Sequence, residues 1–182
     1  PDYLATGIGE PLPGQAHPEF TQASENVKQR IRDLMEIGGR TPVDDLHRKL
    51  GKLMWEHAGI VRSAEGLSKT FAGLEEIRRQ FFRETGIPGS EKTVNQELEK
   101  ALHMEDYLLL ARLMVKDALH REESCGGHFR IESQTKDGET LRNDKEYQYV
   151  AAWEYDSSGP EPVLHKEPLV FSHIDVTERK YK

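Results

Sequence analysis

Over residues 20–123 the apolar positions recur at helical spacing. Phe20, Ala23, Val27, Ile31 and Leu34 follow one another at intervals of three or four, so one stripe of a helix is apolar and the rest is charged. Gly38-Gly39 ends it. A second helix is announced by Thr41 as N-cap, Pro42 at the first helical position and Asp44-Asp45 in the first turn. Its stripe is Val43, Leu46, Leu50, Leu53, Met54 and His57, and it stops at Gly59. Ser63 caps a third, with Leu67, Phe71, Leu74, Ile77 and Phe81 inward and Gly86-Ile87-Pro88-Gly89 behind. The fourth and longest runs from about Thr93 to Glu123 and carries Val94, Leu98, Ala101, Leu102, Leu108, Val115, Ala118 and Leu119.

After Ser124 the period changes. Cys125-Gly126-Gly127 breaks the helix, and Lys136-Asp137-Gly138-Glu139 reads as a polar turn. Tyr147, Tyr149, Trp153 and Tyr155 recur at even spacing around Ala151, the period of a strand with one buried face. A turn at Ser157-Ser158-Gly159-Pro160 leads to a second extended run from Val163 to Phe171, broken by Pro168, so the pattern predicts a small hairpin. At the other end, Pro1, Pro11, Pro13 and Pro18 alternate with Gly7, Gly9 and Gly14, a composition that opposes helix and sheet. Short Gly/Pro turns between amphipathic helices make an antiparallel bundle the economical packing, because each stripe needs a facing stripe. The expected fold is therefore mainly α: a linker at 1–19, a helical bundle at 20–124, and an extended tail with short strands at 125–182.

Composition sharpens this. The chain has 182 residues, 36% of them hydrophobic. Even with its 15 glycines added, the apolar share stays below the roughly 45–50% of a self-contained globular domain. The core is expected to be thin, or completed by another surface. No apolar run approaches the ~20 residues of a bilayer span, so a direct membrane span is excluded. Lys and Arg number 25 against 32 Asp and Glu, interleaved rather than clustered, which argues against nucleic acid as a partner. One cysteine, Cys125, and no leader pattern make a reducing cytoplasmic setting the default. Opening at Pro1 inside a Pro/Gly strap reads as a fragment or processed product.

Reactive side chains concentrate in the run from His120 to Arg130. Cys125, His128 and His120 are candidate metal ligands, but their spacing matches no zinc pattern and no second cysteine exists. As a nucleophile, Cys125 just past a helix C-terminus faces the end of the dipole that raises a thiol pKa. His57 reads as a hydrogen-bonded histidine at the core margin, and His47 and His103 as solvent-facing. Gly7-Ile8-Gly9 lacks the third glycine, lysine and helix start of a phosphate loop. No catalytic, cofactor-binding or metal residue is expected in this chain.

The run Arg121-Glu122-Glu123-Ser124-Cys125-Gly126-Gly127-His128-Phe129-Arg130 resembles the Arg-x-Glu-Ser-Arg-Gly-Ala-His-x-Arg signature of succinate dehydrogenase and fumarate reductase flavoprotein subunits. It departs from the commoner form at Cys125, where arginine is usual, and at Gly127, where alanine is usual. Leu50-Gly51-Lys52-Leu53-Met54-Trp55, Gly59-Ile60-Val61-Arg62, Glu65-Gly66-Leu67 and Asn95-Gln96-Glu97-Leu98-Glu99 are similar to the family's C-terminal helical domain. The tail, Tyr149 to Tyr155 and Val163 to Leu169, resembles the menaquinone-linked bacterial branch and separates the chain from L-aspartate oxidase. The resemblance implies a spectrin-repeat-like bundle packed on a flavin domain. It implies FAD, hydride exchange between succinate carbon and flavin N5, and electron passage to an iron–sulfur subunit, peripheral on the inner face of the bacterial membrane. The residues that would bind FAD and dicarboxylate have no match here, so the chain alone is expected to be catalytically silent and free of flavin. Arg121, Glu123, Ser124, Cys125, Gly126, Gly127, His128 and Arg130 are then structural, Glu123 pairing with Arg121 and Arg130 and the turn anchoring neighbouring chain. Residues 145–182 are expected to be poorly ordered, or paired with another copy, in isolation. An independent helical interaction module, or the related domain of L-aspartate oxidase, remains the alternative.

Overall fold

The computed structural model describes residues 14–155 and 161–177. Gly7, Gly9, most of the Pro/Gly linker and the turn expected at Ser157 to Pro160 lie outside the described residues. The order of elements is α1 (Pro18–Glu36), α2 (Val43–Ala58), β1 (Val61–Arg62), α3 (Ala64–Glu84), α4 (Gln96–His120), β2 (Phe129–Arg130), α5 (Asp144–Tyr147), β3 (Tyr149–Glu154) and β4 (Val163–Pro168). The architecture is mainly α with a small hairpin.

Helices α2, α3 and α4 pack against one another, and α1 leans chiefly on α4. Their shared core is Leu34, Val43, Leu46, Leu50, Leu67, Leu74, Ile77, Phe81, Leu98, Ala101, Met104, Leu108 and Val115. These are largely the stripes read from the sequence. Gly73 lets α2 and α3 approach closely, since a Cβ there would lie 2.7 Å from Leu53 Cδ2. The connectors after α1 and α3 touch backbone to backbone: Gly39 N–H donates to Thr85 O at 3.0 Å and Thr41 N–H to Glu84 O at 2.8 Å.

Several boundaries differ from expectation. Pro42, not Thr41, is the N-cap of α2, because Thr41 is drawn into a bridge with Thr85. Helix α1 begins at Pro18, with His17 as its cap. Helix α4 begins at Gln96, capped by the Asn95 side chain accepting from Leu98 N–H, and ends at His120. Val94 consequently lies outside the helix and is 98% exposed. Only the C-terminal end of the α1 stripe is covered, with Phe20 and Val27 both more than half exposed.

Two small sheets complete the fold. β1 and β2 are parallel, with Val61 opposite Phe129 and Arg62 opposite Arg130. β3 and β4 are antiparallel, from Tyr149 opposite Pro168 to Glu154 opposite Val163. Tyr149, Ala151 and Trp153 form the more covered face of β3, as the alternation requires. Tyr147 belongs to α5 and Tyr155 stands outside the strand, so the aromatic pattern is shorter than it looked.

Helix α4 meets the hairpin at several side chains. Trp153 Nε1 donates to Asp117 at 2.9 Å, the Lys116 ammonium lies 5.3 Å from the Trp153 ring centroid, and Glu161 pairs with both Arg112 and Lys116. Among the described residues, no helix is long and apolar enough to cross a membrane.

Candidate functional site: the turn after α4

The segment from Arg121 to Glu132 has three connected tasks. The first is to close α4. The last carbonyls of a helix have no internal donors and carry its negative dipole end. Arg130, 4% exposed, meets both needs: its Nη1 donates to Ala118 O at 3.0 Å, with longer contacts to Leu119 O and Arg121 O. Its Nε pairs with Glu132 at 3.1 Å. Ser124 holds Arg130 in place, accepting from its N–H at 2.8 Å and donating to its carbonyl at 3.1 Å.

The second task is to reverse the chain. Cys125 and His128 exchange both backbone hydrogen bonds, at 2.9 and 3.0 Å, around a two-residue turn. Gly126 has φ of +58° while Gly127 is not in the left-handed region, the φ pattern of a type II′ hairpin, in which glycine is needed first. Cys125, Gly126 and Gly127 form the exposed tip, and nothing lies within 4 Å of a Cβ built on either glycine.

The third task is to tie the tail to the bundle. Glu123, 3% exposed, accepts from Arg121 Nη1 at 2.6 Å and from Asn143 N–H at 2.8 Å. Arg121 also donates to Tyr147 O and Tyr149 O, its guanidinium against both rings. His120 meets the Tyr149 hydroxyl at 2.9 Å, and the Tyr147 hydroxyl donates to His120 O.

Glu123 therefore pairs with Arg121 as the sequence suggested, while Arg130 takes Glu132 instead. His120, Cys125 and His128 do not converge on a common point. His120 turns to Tyr149, and His128 sits between Arg62 and the Arg121 carbonyl.

Two members of the site escaped sequence reasoning. Arg62, in the turn between α2 and α3, reaches His128 Nδ1 at 2.7 Å, and burial pushes its guanidinium pKa down. Glu132 accepts from Ala64 N–H at 2.7 Å, placing a carboxylate at the N-terminus of α3. Burial pushes that carboxyl upward, but its bonds to backbone N–H groups and to Arg130 prevail and hold it below the usual carboxylate range. The even spacing of Arg130 and Glu132 about Ile131, which points them to one side of an extended chain, was the available signal.

Helix N-termini are capped from within the chain: His17 accepts from Glu19 N–H at α1, Ser63 and Glu132 serve α3, Asn95 serves α4, and α2 opens on Asp44 and Asp45. The described residues contain no trio of His, Cys, Asp or Glu placed to hold a metal ion.

Residues 47–181 match the family described as "Fumarate reductase flavoprotein C-term". A fumarate reductase flavoprotein subunit from a Serratia species is 30% identical over 172 residues, covering 94% of this chain and 28% of its own length. The L-aspartate oxidase of Synechocystis is 28% identical over 129 residues, covering 63% of this chain and 23% of its own. Among solved structures, a chain of Escherichia coli quinol fumarate reductase superposes with a TM-score of 0.77 over 96% of this chain and 28% of that one, at 24% identity. The chain thus spans between about a fifth and just over a quarter of the curated relatives it matches.

Proposed function

The chain belongs to the fumarate reductase flavoprotein C-terminal family, as the C-terminal domain of a succinate dehydrogenase/fumarate reductase flavoprotein subunit, and on that premise we propose that its role is architectural. The parent subunit interconverts succinate and fumarate with FAD, and passes electrons to or from an iron–sulfur subunit. This domain packs on the flavin domain of its own chain. The parent complex sits at the inner face of the bacterial membrane through its other subunits.

The observation that carries the architectural role is the state of the signature itself. Arg121, Glu123, Ser124, His128 and Arg130 are each engaged inside the chain, closing α4, fastening the tail and holding the seam to β1. Side chains so committed are not available to bind a dicarboxylate or pass a proton to it. The exposed tip at Cys125, Gly126 and Gly127 is the part of the motif free to meet neighbouring chain. The bundle and the tail then act as one docked unit, residues 20–124 joined to 125–155 and 161–168 through β1, β2 and α4.

Expression of the reading frame that contains this chain tests the proposal. The expected product is a longer flavoprotein that reduces a dye with succinate, while the 182-residue chain alone shows no flavin band. A frame without a dinucleotide fingerprint, or succinate-dependent dye reduction by this chain alone, overturns it.

A further inference from the structure

The turn after α4 and the turn between α2 and α3 meet at one imidazole. His128, half-buried, places Nδ1 2.7 Å from Arg62 Nη1 and Nε2 2.8 Å from the Arg121 carbonyl oxygen. A guanidinium only donates and a carbonyl only accepts. Both contacts are hydrogen bonds together only when the ring is neutral and carries its proton on Nε2. The partners therefore dictate the charge and the tautomer. The same two residues flank the β1–β2 seam, whose backbone bonds run from Phe129 N–H to Ile60 O at 3.1 Å and from Ile131 N–H to Arg62 O at 2.9 Å.

The charges around the ring are of one sign. Arg62 approaches from β1, Arg121 from the C-cap of α4 and Arg130 from β2. The nearby carboxylates are committed to other groups: Glu123 to Arg121 and Asn143 N–H, Glu132 to Arg130 and Ala64 N–H, and Asp117 to Trp153 while it acts on Arg62 from α4. Burial first, and then these three guanidiniums, depress the imidazole pKa below its ordinary value, against the single upward pull of the Arg121 carbonyl.

We propose that His128 is a proton-sensitive latch: neutral, it accepts from Arg62 and holds β1 against β2, and protonated, it loses that lone pair, becomes a fourth cation in the cluster and lets the seam open. Opening would not stop at two residues. β2 leads directly into Glu132, whose carboxylate caps α3, so release of the seam also loosens the N-terminus of that helix. The sign follows from linkage. The unfolded chain takes up the proton near the ordinary histidine pKa of about 6.5, before the folded ring does, so stability is complete above that pH and falls below it. The decline continues until the folded ring itself titrates.

Nitrogen-detected NMR and amide exchange on the 182-residue chain decide the matter. The expected result at pH 7 is a neutral His128 protonated on Nε2, with a titration midpoint below about 6.5. Between pH 7 and 5, Phe129 and Ile131 amides, corrected for intrinsic rates, should speed up severalfold, to a ceiling of about 25-fold set by the roughly 1.5 pH units between the ordinary histidine pKa and pH 5, while Ile77 in the α3 core stays within a factor of about two. His128→Gln presents an oxygen to Arg62 and an N–H to the carbonyl without titrating, so it should hold the seam shut at both pH values. Protonation on Nδ1, a midpoint at or above the ordinary value, or the same pH response in His128→Gln overturns the proposal. Should that variant not fold, the wild-type tautomer and midpoint decide alone.

Discussion

Removing the carboxylate of Glu123 is the most direct test of the turn as a fastening. The side chain is 3% exposed and serves two donors, Arg121 Nη1 at 2.6 Å and Asn143 N–H at 2.8 Å. Truncating one partner of a buried pair costs about 3–5 kcal/mol, because the other charge is left without compensation. Two features set the figure here at about 3 kcal/mol: the Arg121 side chain keeps one-fifth of its exposure, and it retains Tyr147 O and Tyr149 O as acceptors. With a urea m-value of about 2 kcal/mol/M, Glu123→Ala should lower the unfolding midpoint by about 1.5 M. Glu123→Gln keeps an acceptor but not the charge, and should lose about half as much, since charge-assisted bonds are roughly twice as strong as neutral ones. The loss should begin locally, with the Asn143 amide exchanging ahead of the α3 core. A midpoint shift below about 0.3 M in Glu123→Ala, with Asn143 still protected, would refute the argument that this carboxylate holds the tail.

Other outcomes follow from particular contacts. Gly39→Ala should destabilise the chain by about 3 kcal/mol in urea titration, since a Cβ would lie 1.9 Å from Glu84 O and force the two connectors apart. Gly51→Ala, in the interior of α2 with nothing within 4 Å, should instead stabilise by about 0.5–1 kcal/mol. Trp153→Phe removes the bond to Asp117 and should weaken hairpin docking by about 1 kcal/mol, seen as faster exchange at Tyr149 to Trp153 with the bundle melting unchanged.

The bundle was legible because its signals were local. Ser63 caps α3 through Gly66 N–H as its type and position suggested, and the stripes of α2 and α3 are mostly the buried ones. Where the reading slipped, a long-range contact had overridden a local rule. Thr41 has the chemistry of an N-cap, but its backbone is spent on Glu84 and Gly86, which moves the cap to Pro42. The turn after α4 was visible as a motif and only partly as geometry. Arg121 and Glu123 are two residues apart, and proximity gave their pairing. Arg62 reaches His128 across 66 residues, and no pattern in the sequence reports such a contact.

Helix α4 shows why periodicity alone misplaces part of the core. A helix with one apolar stripe announces its buried face, whereas one that is apolar on several faces does not. In α4, Met104, Leu108 and Val115 enter the core, while Leu109, Leu110 and Met114 on the same helix are about half exposed. Periodicity cannot choose between two such sets, so Met104 and Ala111 were missed and Val94, beyond the helix start, was included. The C-terminal turns of α4 escape the ambiguity because the tail covers them, Trp153 on Asp117 and Glu161 on Arg112 and Lys116. Among the described residues, Leu109, Leu110 and Met114 stay about half exposed beside that cover. Under the proposed role that remaining apolar surface, together with Phe20 and Val27 of α1, is what a domain adjoining a larger flavoprotein would keep for its neighbour.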